Sequence, residues 1–495
     1  AAFPPGFDRR APSPGDAALA RVRNQWRREL DRTHSDLGGD EGREYADAIR
    51  TALAHILINR DGPAIRPGAR SYARSWIRDG AMMSTALLQL GHAKEVRDYI
   101  EWYAPYQFAN GKIPCCVDSR GADPVPEHDS HGEFIHLVAQ YAQYSGDTAL
   151  ARRMWPRVMA AASYIDSLRA QRLTPAYDTG SARMFRGILP PSISHEGYSA
   201  KPMHSYWDDF WALTGLKDAT TLAATSGRSA ERDRLAALRD SLEASVLETI
   251  DLSMRAHGID FIPGSADLGD FDATSTTVAL APGGERSRLP QPALRNTFDR
   301  YYAFLVARRD SAKGDDYTPY EWRNVGALVR LGEKRKALEV ARFLFGDRRP
   351  AAWNQWGEVV YRDPKTPKFV GDMPHTWVAS DFIRSVLDLI AWEREDGALV
   401  IGAGIPELWA NLEPGVKISK LHTSLGPLDL TMFGGGRRVN VHVGGDLRVP
   451  PAGIVVYSPY DSRVLTATVN GKRVEIVDGR SVMIHSLPAD IAFGH

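Results

Sequence analysis

The sequence predicts a mainly α protein, a ring of helical hairpins forming an α/α toroid, with a small antiparallel β domain at its C-terminal end. Three observations carry that expectation. Residues 42–396 hold a succession of segments with apolar residues at helical spacing. Tight glycine turns alternate there with long connections rich in Pro, Gly and aromatics. Beyond residue 397 the pattern changes to short β-branched runs.

Taken in order, residues 1–41 are Pro/Gly-rich and then charged, and read as an N-terminal segment with one polar helix. Helices are expected over 42–59, 78–91, 93–107, 131–145, 147–170, 203–225, 228–254, 270–280, 292–309, 318–331, 333–346 and 376–394. The turns Leu90-Gly91-His92, Ser145-Gly146-Asp147 and Leu331-Gly332-Glu333 join neighbours as antiparallel hairpins. Long connections fall at 108–130, 171–202, 255–269 and 347–375. Loops of that length are uncommon unless functional, so a site is expected on the long-loop face. In the C-terminal part, 397–495, strands are expected over 439–443, 453–457 and 464–469, with hairpin turns at Asn470-Gly471 and Asp478-Gly479.

Composition narrows the function classes. The chain has 495 residues, with 61 Lys+Arg against 61 Asp+Glu, so it offers no electrostatic footprint for nucleic acid or an anionic membrane. No run approaches the ~20 apolar residues that span a bilayer. Apolar residues make up 43% and charged residues 25%, the balance of a folded globular chain. The two cysteines, Cys115 and Cys116, are adjacent; neighbours rarely pair, and two thiolates alone make no zinc site. No phosphate-cradling glycine loop and no G-x-S-x-G elbow occur. The first five residues resemble a chain whose leader has been removed or trimmed, so a periplasmic or secreted location is expected.

The helical loops are dense in carboxylates and aromatics. Trp76-Ile77-Arg78-Asp79 stands just before a helix: Asp79 can accept hydroxyl hydrogen bonds, Arg78 can hold it, and an aromatic face beside an acceptor suits a pyranose ring. The alternative is a helix N-terminal carboxylate with a surface arginine. Glu127, His128 and His131 raise a metal site, but the spacing is not H-E-x-x-H; cleft lining, or a capping box from Ser130 to Glu133, explains the stretch better. Glu196, flanked by His195 and Tyr198 and followed by Trp207, Asp208 and Asp209, reads either as a desolvated general acid or as an exposed loop acid ahead of a capped helix. Should Glu196 face solvent, Asp208 or Asp209 is the replacement acid. Asp267, Asp270 and Asp272 read as an acidic loop that caps the next helix. Glu358 lies on a later hairpin among aromatics, near Trp356, His375 and Trp377, while Tyr320 and Trp322 sit on another aromatic-acid stretch. Around a toroid, such distant loops can face one cavity. Two carboxyls across a sugar are what inverting glycoside hydrolysis requires.

These stretches resemble the six-hairpin glycosidases, the (α/α)6-barrel superfamily, and within it the glucoamylase/bacterial trehalase family (glycoside hydrolase family 15). Trp76-Ile77-Arg78-Asp79 is similar to that family's W-x-R-D signature, whose Asp holds the −1 sugar. Glu196 occupies the place of the family's general acid, although its surroundings depart from the W-E-E or W-E-x-R pattern. Glu358, with Asp363-Pro364-Lys365-Thr366 and Gly371-Asp372-Met373-Pro374-His375-Thr376-Trp377, resembles the general-base stretch. Ala403-Gly404-Ile405-Pro406 and the stretch 421–426 are similar to the β-sandwich appended to such barrels in the α-L-rhamnosidases.

The resemblance implies an (α/α)6 toroid barrel over 42–396, a C-terminal β-sandwich over 397–495, and an inverting glycoside hydrolase acting on an oligo- or polysaccharide. Glu196 would be general acid and Glu358 general base. Trp76, Arg78, Asp79, Glu127, His128, His195, Tyr198, Trp207, Asp208, Tyr320, Trp322, Trp356, His375 and Trp377 would bind substrate. No cofactor, metal, nucleic acid or membrane span is expected. Two rivals stand beside this: a polysaccharide lyase on a similar toroid, using Tyr198, Tyr206, His195 or His204 as base, and a non-catalytic glycan-binding subunit.

Overall fold

The computed structural model describes residues 14–310, 316–363, 365 and 368–495. The first five residues, and Pro364 and Thr366 of the general-base stretch, lie outside the described residues. The helices are α1 (Pro14–Leu30), α2 (Gly39–Asn59), α3 (Ile77–Gln89), α4 (Ala93–Tyr103), α5 (Ser130–Ser145), α6 (Thr148–Ala170), α7 (Tyr206–Thr225), α8 (Ser229–His257), α9 (Ala273–Leu280), α10 (Ala293–Asp310), α11 (Trp322–Arg330), α12 (Lys334–Gly346), α13 (Thr376–Ile390) and α14 (Glu407–Asn411).

Two kinds of helix alternate. One kind is buried all round: every residue of α7 from Tyr206 to Leu216 is buried, and so is every residue of α13 from Thr376 to Ile383. The other kind is amphipathic. In α4 the buried residues are Val96, Tyr99, Ile100 and Tyr103, at three- and four-residue spacing. The buried helices pack in a cycle: α3 on α5, α5 on α7, α7 on α9, α9 on α11, α11 on α13, and α13 back on α3. Around them α4 lies on α3 and α5, α6 on α5 and α7, α8 on α7, α12 on α11, and α2 on α13. Glycine permits the closest of these approaches. A Cβ on Gly132 of α5 would stand 1.9 Å from the Trp211 carbonyl oxygen of α7, and one on Gly215 would stand 2.6 Å from the Gly132 Cα.

One expected helix ends early. The pattern over 376–394 predicts helix throughout, but α13 stops at Ile390 and Ala391–Glu393 is a strand, paired antiparallel with Leu399–Ile401. Ala391-Trp392-Glu393 keeps helical apolar spacing, yet a neighbouring strand satisfies its backbone and Gly402 N–H closes onto the Ile390 carbonyl. Leu399–Ile401 in turn runs parallel to Ile454–Tyr457, and Ser481–Ile484 completes this four-stranded sheet.

The larger sheet has seven strands in the order His34–Leu37, Val416–Thr423, Gly426–Gly435, Arg438–Gly444, Ala489–Gly494, Thr466–Val469, Lys472–Arg473. Its edge strand comes from the opposite end of the chain: His34 pairs with Ser419 and Leu37 with Val416. The molecule is thus half helical with several β sheets. No helix among the described residues is long and apolar enough to cross a membrane.

Candidate functional site

The long connections all lead into the N-terminal ends of the buried helices, and there they enclose a cavity of about 350 Å³. Pro67, Tyr72 and Trp76 come from the loop before α3, and Arg78 and Asp79 from its first turn. His195, Glu196 and Gly197 come from the loop before α7. Asp272, Thr274 and Ser275 stand at the start of α9, Thr318, Tyr320 and Arg323 around the start of α11, and Glu358, His375 and Trp377 on the approach to α13. Two short sheets tie these loops. Ser75–Trp76 pairs with Cys116–Asp118, and Asp316–Tyr317 pairs with Val360–Tyr361, which joins the Tyr320 loop to the Glu358 loop.

Glu358 is half-buried, and each of its oxygens accepts a phenol: Oε2 from Tyr72, Oε1 from Tyr320 at 3.1 Å. Glu196 is exposed at the rim with φ +66°, a left-handed backbone that disfavours ordinary side chains. Asp79, in the first turn of α3, is buried. Burial pushes its carboxyl well above the usual carboxylate range; Arg78 opposes this, and the charges of Glu196 and Glu358 add to it. Asp272 caps α9, accepting from Ser275 N–H at 2.9 Å, and stands 3.6 Å from His195 Nε2. Burial would raise the Asp272 carboxyl, but the hydrogen bond and charge of His195 hold it below the usual value. Burial lowers His375 to about 4, so its ring is neutral.

Both arginines of the cavity are ion-paired inside the protein. Arg78 binds Glu127 and reaches Asp129 at 3.3 Å, with its guanidinium 5.1 Å from the Trp377 ring centroid. Arg323 Nε donates to Asp381 at 2.8 Å and its guanidinium lies 4.9 Å from the ring centroids of both Tyr320 and Trp377.

Of the residues read from sequence, Trp76, Arg78, Asp79, His195, Glu196, Tyr320, Glu358, His375 and Trp377 line this one cavity. The others do not. Trp322 and Trp356 are core residues, with ring centroids 5.6 Å apart and Trp356 Nε1 bonded to the Leu344 carbonyl. Glu127 lies behind Arg78 as its partner. His128 is buried, and burial lowers it to about 4. Tyr198 donates its hydroxyl to Asp270 at 2.9 Å. Trp207 is fully buried, its Nε1 on Asp129 at 2.8 Å. Asp208 accepts from the hydroxyls of Ser192 and Ser194, and Asp209 from Leu189 N–H, so both possible replacement acids are consumed inside the protein.

The capping box at Ser130 does not form. The residue before α5 is Asp129, without a side-chain cap, and the Glu133 oxygens are buried without partners. Burial, then the Asp129 charge, pushes the Glu133 carboxyl well up.

Sequence reasoning missed Tyr72 and, as cavity lining, Asp272. Tyr72 stands in Arg70-Ser71-Tyr72-Ala73-Arg74, where no pattern marks it. Thr318 and Arg323 belong to the aromatic-acid stretch 317–323, which reads in sequence as lining the same cavity, and with Tyr320 they do line it.

Two other groupings of ligating side chains occur among the described residues, and neither lines the cavity. Cys115, Cys116 and Asp123 lie together, but the Cys116 thiol and burial push the Cys115 thiol far up, and Asp123 is paired with Arg74. Glu29, His92 and Glu95 surround Arg32, which bonds Glu29 and lies 3.5 Å from Glu95. A second cavity of about 310 Å³ opens at the C-terminal ends of the buried helices, against the four-stranded sheet. Its Arg330 is paired with Asp388 and its His136 with Asp218.

No family model matches the sequence, and no curated protein does. Solved structures match through the fold. An α-L-rhamnosidase from Dictyoglumus thermophilum aligns with TM-score 0.63 at 11% identity, over 94% of this chain and 50% of that one. A GH78 family rhamnosidase of Bacillus sp. GL1 aligns with TM-score 0.58 at 13% identity, over 86% and 43%. A bacterial glucoamylase complexed with acarbose aligns with TM-score 0.52 at 13% identity, over 76% and 61%. The chain spans about half the length of the rhamnosidases it matches. The arrangement of its helices and sheets is the fold of these glycosidases.

Proposed function

We propose that the protein is an inverting glycoside hydrolase, with Glu196 as general acid and Glu358 as general base. One observation carries this reading: two carboxyls from loops far apart in sequence line a single cavity, and one of them has both oxygens fixed by tyrosine hydroxyls. Glu358, so fixed, takes the proton of an attacking water. Glu196 gives its proton to the departing glycosidic oxygen. Asp79, whose carboxyl burial and its acidic neighbours push upward against Arg78, hydrogen-bonds a sugar hydroxyl, and Trp76 and Trp377 offer aromatic faces to the ring.

In this reading the closed cycle of buried helices is an (α/α)6 barrel and the C-terminal sheets are its appended β-sandwich. The division at 41/42 and 396/397 stands as a proposal, with strands His34–Leu37 and Ala391–Glu393 lent across it. A periplasmic or secreted location fits an enzyme meeting oligo- or polysaccharide, and is proposed with it.

The charge of the cavity argues against the lyase. A lyase must neutralise a uronate carboxylate, but Arg78 and Arg323 are already ion-paired with Glu127 and Asp381, while the carboxyls of Glu196, Asp272 and Glu358 face the same space.

The test is a proton NMR time course on a glycan panel that opens with α-L-rhamnosides and α-D-glucosides, wild type beside Glu358→Gln. Product first released with inverted anomeric configuration, and lost in Glu358→Gln, supports the reading. Retained configuration, an unsaturated product, or full activity in the variant removes it.

A further inference from the structure

Resting on that reading, we infer that Asp208 and Asp372 are positioning residues, Asp208 for the acid Glu196 and Asp372 for the base Glu358. Neither lines the cavity, and each is a buried carboxyl that gathers hydrogen bonds: Asp208 from the loop carrying Glu196, Asp372 from the loop carrying Tyr72, which bonds Glu358.

The acid loop needs holding. Ser194 at φ +54° and Glu196 at φ +66° both sit in the left-handed region, which is unfavourable for residues that carry a side chain. Asp208, in the first turn of α7, collects the hydroxyl protons of Ser192 and Ser194, the latter at 2.8 Å. Ser192 Oγ in turn accepts Ser194 N–H at 2.7 Å, and Ser194 Oγ lies 2.9 Å from Ser205 Oγ. The loop is therefore bolted to the rigid start of α7 two residues before Glu196. A proton donor is useful only where the glycosidic oxygen will be, so this anchoring acts on the departure of the leaving group.

The base side is built the same way. Asp372 accepts from the backbone N–H groups of Arg70, Ser71 and Tyr72 at 2.7, 2.9 and 3.1 Å. That fixes the backbone of Tyr72, whose hydroxyl bonds Glu358 Oε2. Asp372 also follows Gly371, at φ +73°, where a Cβ would come within 2.8 Å of the Glu358 Cβ. Asp372 thus acts through Tyr72 on the carboxylate that takes the water proton.

The two assignments differ in a measurable way. Acid assistance matters most for poor leaving groups, while base assistance is needed for every substrate. The experiment measures kcat for the methyl and the 2,4-dinitrophenyl glycoside of α-L-rhamnose and of α-D-glucose, in Asp208→Asn, Asp372→Asn, Ser194→Ala, Glu196→Gln and Glu358→Gln. Hydrogen exchange of the 192–197 and 70–72 segments is followed alongside.

Asp208→Asn should lose about 10- to 100-fold on the methyl glycoside and under about 3-fold on the dinitrophenyl glycoside, with faster exchange confined to 192–197. Ser194→Ala should repeat this more weakly, which guards against a folding failure of the first variant. Asp372→Asn should lose activity equally on both substrates, with faster exchange confined to 70–72. Equal losses on both glycosides in Asp208→Asn, or unchanged exchange in the two segments, overturn the inference. If Glu196→Gln leaves turnover of the methyl glycoside intact, or Glu358→Gln leaves turnover of either glycoside intact, or no glycoside is turned over, the hydrolase reading fails and the catalytic roles of Asp208 and Asp372 fall with it. If Glu196→Gln is dead on the methyl glycoside and Glu358→Gln on both, while Asp208→Asn and Asp372→Asn behave as wild type, only the positioning roles fail.

Discussion

Glu358 is worth more than its charge because Tyr72 and Tyr320 take both of its oxygens. Tyr72→Phe keeps the ring packing against Trp76 and His375 and removes only the hydroxyl, so kcat should fall about 10- to 100-fold with little change in melting temperature. An unaltered kcat would mean that the phenol does not orient the carboxylate. Asp209 gives a pH prediction of definite sign. Burial pushes its carboxyl up to about 8, against the pull of Leu189 N–H, and its Oδ2 has no partner. An acid whose folded pKa is raised ionises first in the unfolded chain. The fold therefore loses stability as pH rises from about 4, the unfolded value, through about 8. Asp209→Asn removes that loss. Urea unfolding at pH 5 and pH 8 should show a smaller pH difference in the variant, and a higher stability than wild type at pH 8.

Among the elements, the contact between α5 and α7 is the tightest test of packing. Gly132→Ala places a methyl against the Trp211 carbonyl with only backbone to give way, so it should cost about 1–3 kcal/mol, read as a lower midpoint in calorimetry. The helices themselves were legible because their apolar spacing and glycine turns agree: Leu90-Gly91-His92 and Ser145-Gly146-Asp147 both fall where α3 and α5 end. The end of α13 was not, since Ala391, Trp392 and Glu393 continue its periodicity and only the partner Leu399–Ile401 draws them into a sheet. Trp322 and Trp356 misled for a related reason. Trp356 stands in a long loop and Trp322 opens α11, both beside acids and aromatics, yet both pack against Phe382 in the core. Composition marks a site-like loop without saying which way each ring points.

At the scale of the whole molecule the chain closes on itself. His34–Leu37 supplies the edge strand of the seven-stranded sheet, and Trp409 of α14 lies 5.3 Å from Tyr45 of α2 and bonds Glu41 at 3.2 Å. Deleting residues 14–37 uncovers the backbone of Val416–Ser419 as a bare edge. The truncated protein should melt at least several degrees lower and scatter light at concentrations where the full chain does not. A midpoint unchanged within about one degree would show that this strand contributes nothing to the sheet.

The sequence by itself determined which segments are helices, where the grammar turns to strands, and which loops carry acids beside aromatics, because each is a local pattern of spacing and composition. It also marked Asp79, Glu196 and Glu358, which line one cavity though they come from three hairpins. Only the tertiary structure decided that Tyr72 joins them and that Asp208 does not. Those choices depend on which face of a loop turns inward once six helices have packed in a cycle. A carboxylate between two serine hydroxyls looks, in sequence, just like one that waits for a sugar.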